Sequence, residues 1–122
     1  MPSQELPSHY LYERQEHREF IDAVEHLGKV VRKAGPIEEK SAHLIQLAAA
    51  IAIDSEGAAH SHVRRALACG ASPEEIFHSI ILLTSTLGYP TVSKALSWAE
   101  DVIPGRGDGA DAMSQSPSQD LH

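Results

Sequence analysis

The sequence predicts an all-α domain of about five to six helices. Apolar residues recur three and four positions apart through most of residues 17–103, and helix start and stop signals divide that stretch into segments. No run alternates apolar and polar residues as a strand does. With 122 residues, 42% of them hydrophobic, the chain can bury one small core and not two.

Residues 1–16 carry two prolines, several charges and little periodicity, and read as an arm or a short helical lead-in. From Phe20 a stripe of Phe20, Val24, Leu27, Val31 and Ala34 marks a first long helix, which Gly35 and Pro36 end. A second begins near Glu38 and runs through "SAHLIQLAAAIAI", so apolar that most of its circumference must be covered. It reads as the central helix. Asp54 or Ser55 can cap a third helix, with Glu56 in its first turn, Cys69 near its end and Gly70 as its stop. "GASPEEIF" repeats the grammar, with Ser72 as cap, Pro73 at the first helical position, and Glu74 and Glu75 against the positive helix end. That fourth helix carries Ile76, Ile80, Leu83 and Leu87 to Gly88, and a fifth runs from Pro90 through Val92, Ala95, Leu96 and Ala99 to about Val102. After Pro104 the composition shifts to Gly, Asp, Ser, Gln and Pro, so residues 104–122 are expected to form a disordered tail. Its "RGD" at 106–108 reads as chance in a chain without a secretion signal.

A formal net charge of -7 makes nucleic acid and anionic membrane surfaces poor partners. No apolar run approaches the roughly 20 residues that span a bilayer, and no signal peptide opens the chain, so a cytoplasmic protein is expected. Cys69 is the single cysteine, which rules out an intramolecular disulfide or a Cys-x-x-Cys redox pair. Among small apolar residues at a helix C-terminus, it reads as a small buried hydrophobe.

The densest polar chemistry lies in "DSEGAAHSHVRRAL", residues 54–67. His62 is a natural acid/base group, because imidazole titrates near working pH. Arg64 can hold a substrate carboxylate, and Ser55 can either donate a hydrogen bond or cap the helix. Glu56 can exchange protons or orient an imidazole, but it also suits a helix N-terminus. His60 stands roughly 200° from His62 around a helix, so the two cannot enter one pocket, and His60 reads as a bystander.

"HLIQLAAAIAI" followed by "HVRRALACGASPEEIFHSIILLTSTLGYP" resembles the carboxymuconolactone decarboxylase family of the AhpD-like superfamily, over roughly residues 36–103. The resemblance implies an AhpD-like helical fold that oligomerises through helix packing, as trimers or hexamers, with the active site near the helix that carries His62. In the AhpD-type peroxidases a glutamate precedes the first cysteine of a Cys-x-x-Cys by twelve residues, and a histidine follows the second by four. Counting back from His62, those places are held here by His43, Ser55 and Ala58. A thiol peroxidase needs one thiolate to attack and a second thiol to resolve the sulfenic acid, which Ser55 and Ala58 cannot supply. The lactone decarboxylases of the family also lack the cysteine pair and place a glutamate six residues before the histidine. Glu56 and the tripeptide His62-Val63-Arg64 keep that pattern, while Arg65 stands where a small residue is usual.

The resemblance therefore implies a lyase or isomerase acting on a small carboxylate or lactone by acid/base chemistry, without cofactor or metal. His62, Glu56 and His43 are its catalytic candidates, and Ser55 and Arg64 its substrate-binding ones. Three rivals stand beside it. One is a family member that lost its redox cysteines and serves as a non-catalytic binding or assembly protein. Another is a zinc or iron site built from His43, His62 and Glu56, although their spacing is not the i, i+4 pair of familiar motifs. The last is residual peroxidase activity through Cys69.

Overall fold

The computed structural model describes residues 8–103 and Gly105, all of the regular structure being helical. In chain order the elements are α1 (Ser8–Glu16), α2 (Arg18–Arg32), α3 (Glu39–Ala52), α4 (Glu56–Ala68), α5 (Pro73–Ile81), α6 (Thr84–Leu87) and α7 (Tyr89–Val102). The lead-in expected within residues 1–16 is α1. Residues 1–7 of the expected arm, and Pro104 and residues 106–122 of the expected tail, lie outside the described residues.

The core is made by α3, α4, α5 and α7. Leu47 and Ile51 of α3 meet Ala59, Val63 and Ala66 of α4, and Ile76 and Ile80 of α5 close against Val92, Ala95 and Ala99 of α7. Each set recurs three or four residues apart, so each helix turns one stripe inward. The alanines at 59, 66, 95 and 99 leave little side chain between backbones, and α4 packs closely against both α3 and α7. This places α4 between two neighbours, with polar flanks on either side of its buried stripe.

Local signals fix the helix ends. Ser72 Oγ accepts from the Glu75 N–H at 3.0 Å while Glu75 Oε1 accepts from the Ser72 N–H at 2.9 Å, a reciprocal capping box at the start of α5. Ser55 caps α4 through a longer bond of 3.4 Å from the Ala58 N–H. Gly88, at φ 94° and ψ 154°, joins α6 to α7 in a conformation that L side chains rarely adopt.

Two expectations change, and one apolar stripe finds no cover within the single chain. The continuous fourth helix divides into α5 and α6, because the chain turns at Leu82 and Leu83 before restarting at Thr84. Cys69 is exposed, not buried, because it occupies the C-cap of α4, where the chain leaves the helix toward Gly70. The Phe20–Val31 stripe does not enter the core of the single chain: α2 packs chiefly against α1, and Phe20 and Leu27 stay 65% and 60% exposed.

Candidate functional site

The site candidates gather on the two flanks of α4. Asp54 makes the sharp α3–α4 corner with φ 60°, a left-handed conformation that aspartate tolerates. From Ser55 onward the helix turns Ala59, Val63 and Ala66 to the core. His62 then falls on the flank facing α3, and Glu56, His60 and Arg64, four residues apart in turn, share the other.

On the α3 side, His43 and His62 meet with their Nδ1 atoms 3.1 Å apart, ring centroids 5.4 Å apart and ring planes 41° apart. At that separation one Nδ1 donates a proton and the other accepts it. His43 is buried, and its Nε2 lies 4.0 Å from Glu39 one turn earlier on α3. Burial lowers the pKa of His43, the positive charges of Arg32 and Arg65 lower it further, and Glu39 partly opposes them. His62 is held down to about 4, by burial first and then by His43, Arg65 and Arg32. The pair is therefore neutral at neutral pH, in a positive field whose guanidinium groups come from α2 and α4. Arg32 is itself nearly covered, with Nη1 3.4 Å from Gln46 Oε1 and Nε 3.8 Å from Glu39.

The opposite flank carries the opposite charge. His60 Nε2 lies 3.7 Å from Glu56 Oε2 on the preceding turn and 3.4 Å from Asp101 Oδ2 in the last turn of α7. Glu56 and His60 also form a wall of a cavity of about 540 Å³, together with Ser61 and Arg64 of α4 and Tyr10 and Arg14 of α1. Burial, and secondarily Arg65, lower the pKa of Arg64. Its charge is costly there, and a ligand carboxylate would offset that cost.

The sequence candidates thus separate. His43 and His62 come together across α3 and α4. Glu56 and Arg64 lie on the cavity side, away from them, and Ser55 spends its oxygen on the α4 cap. Since Glu56 is the first residue of α4, it lies one turn before His60 and pairs with it and not with His62. The trio of His43, His62 and Glu56 imagined as a metal site is accordingly not assembled. His60, read from the sequence as a bystander, lies between Glu56 and Asp101, and the spacing Glu56-x-x-x-His60 was the sequence signal for the first of these contacts. Arg32 and Asp101 had no such signal, because each reaches its place through the packing of another helix, whereas Arg65 follows His62 by three residues on α4 itself.

The family model of the carboxymuconolactone decarboxylase family matches residues 18–101. The chain belongs to this family. The match runs from the start of α2 to the last turn of α7, so the family region includes the exposed-stripe helix as well as the core. Both histidines of the α3–α4 pair, the capped start of α4 and the His60 flank fall inside it. No curated protein and no solved structure matches the chain. Among the described residues of this family member, no helix is long and apolar enough to cross a membrane.

Proposed function

We propose that the protein is an acid/base lyase or isomerase acting on a small carboxylate or lactone, with His43 and His62 as the pair that moves the proton. The observation that carries this reading is the 3.1 Å Nδ1-to-Nδ1 contact between two imidazoles in a positive field. Decarboxylation of such a substrate leaves an electron pair in a conjugated system and then needs a proton on carbon, and isomerisation needs a proton removed from one carbon and returned to another. A neutral imidazole pair can take up one proton and share it. A bound anion beside Arg32 and Arg65 would cancel part of the field that depresses both pKa values, so the pair gains basicity when substrate is present. The proton transfer itself calls for no cofactor. A panel of lactones and keto acids, followed for carbon dioxide release and for isomerisation, tests the reading. Turnover is expected to fall by roughly 100-fold or more in His62→Ala. An unchanged rate would remove His62 from the mechanism.

The stripe on α2 supports a second part of the reading, a homo-oligomer of trimeric or hexameric order. Phe20, Val24, Leu27 and Val31 stand at helical spacing and exposed in the single chain, and a second copy is the natural cover for so continuous an apolar face. Sedimentation velocity should give the mass of an oligomer, and Leu27→Asp should shift it toward the monomer. Wild-type protein sedimenting as a monomer at tens of micromolar would end this part of the proposal. The non-catalytic alternative, a binding or assembly protein, expects oligomerisation without turnover on any member of the panel. We place the protein in the cytoplasm, where a single unpaired cysteine such as Cys69 stays reduced.

A further inference from the structure

We propose that Glu56, His60 and Asp101 bind one divalent transition-metal ion of the zinc class, with an open coordination position toward the cavity beside α4 and α1. The three ligand atoms lie within 4.8 Å of one another. His60 Nε2 to Asp101 Oδ2 at 3.4 Å and to Glu56 Oε2 at 3.7 Å are separations that two ligands of one ion make at angles of about 110–125° when each bond is about 2.1 Å. Only small side-chain movements would close the shell. The imidazole nitrogen itself supplies a second observation. His60 Nε2 is shut off from solvent and makes no hydrogen bond among the described residues, although it points between two carboxylates.

The chemistry of the set selects the ion. An imidazole ligand favours first-row transition metals over calcium or magnesium, which take oxygen ligands. Two carboxylates contribute two negative charges, enough to balance a divalent ion without further counter-charge. Three protein ligands leave a position open, and Glu56 and His60 are also cavity wall, so that position faces a space lined by Arg14, Arg64 and Arg65 together with the carboxylates of Glu13 and Glu25. The other grouping of possible ligands, Glu39, His43 and Cys69, suits a cation less. His43 spends Nδ1 on His62, and Arg32 and Arg65 make its surroundings positive.

The test is calorimetric titration of the full chain, stripped of metal by chelation and dialysis, with zinc chloride. One equivalent is expected to bind with a Kd of about 10 μM or tighter. Asp101→Asn and His60→Ala should each weaken it at least about tenfold, the size of effect that perturbing a metal shell produces. Cys69→Ser should bind as the wild type does. Asp101 is exposed, so its replacement by asparagine leaves the fold intact, and helical circular dichroism checks this for both variants. The proposal is overturned if the wild type shows no one-to-one site tighter than about 100 μM. It is equally overturned if both variants bind zinc as the wild type does, or if Cys69→Ser is the variant that loses the ion.

Discussion

His60 and His62 are two residues apart on one helix and live in opposite surroundings. His62 faces α3, touches a second histidine, and lies under two guanidinium groups that oppose its protonation. His60 faces the cavity and the end of α7, between the carboxylates of Glu56 and Asp101. A helix turns about 100° per residue, so side chains two apart sample almost opposite sides, and the neighbours on each side then decide what the same imidazole can do. One residue type in one short segment thus carries a proton-transfer candidate and a cation-binding candidate.

The sharpest way to probe the contrast is to delete the imidazole on each side. His43→Ala removes a buried ring and leaves His62 Nδ1 without its partner, so urea unfolding should show a loss of about 2–4 kcal/mol. His60→Ala removes a ring whose side chain is 19% exposed and makes no hydrogen bond through Nε2, and it should cost under about 1 kcal/mol. Equal losses on the two sides would erase the distinction between a packed pair and a binding flank.

Next in size is the wall that separates the flanks. Val63 is 1% exposed and packs into the core between them. Val63→Ala should cost about 2 kcal/mol through lost burial and the cavity it leaves. Measured stability within a few tenths of wild type would mean that α4 is not anchored through this stripe.

Acid should act on the His62 side. An unfolded histidine takes up a proton near its ordinary value of 6.5, but His62 in the folded chain does so only near 4. As pH falls through that window the unfolded state binds the proton first, so stability falls between about 6.5 and 4 and levels off below. Above 6.5 both states are neutral and this histidine adds no slope. His62→Ala should flatten the decline, and an unchanged pH profile in that variant would contradict the depressed pKa.

The smallest effects concern the caps that set the phase of the helices. Ser72→Ala breaks a reciprocal pair of bonds at 2.9 and 3.0 Å and should cost about 1 kcal/mol. Ser55→Ala breaks one bond of 3.4 Å and should cost less, about half that. The reverse order would give Ser55 a role that capping does not explain.

Much of the architecture could be read from the chain. The stretch Ser72-Pro73-Glu74-Glu75 announced the start of α5, and Ser55 with Glu56 announced α4, because capping chemistry acts over three or four residues and needs no tertiary partner. The apolar run through Leu47 and Ile51 announced a helix covered on most sides. The break between α5 and α6 escaped, since Leu82 and Leu83 continue the apolar pattern through the turn. The α2 stripe was legible as amphipathic, but periodicity does not say whether its own chain or another covers it.

The site divides along the same line. The sequence alone determined an all-helical chain with one cysteine, which cannot run a two-thiol cycle, and a polar segment whose His60 and His62 must diverge, because these follow from composition and helix geometry. Only the tertiary structure decided what each histidine meets. His43 reaches His62 from 19 residues away across the α3–α4 packing, and Asp101 reaches His60 from the far end of α7. The physical reason is range: caps and periodicity are local, whereas the electrostatics of a buried imidazole depend on whichever charges the packing of other helices brings within a few ångströms.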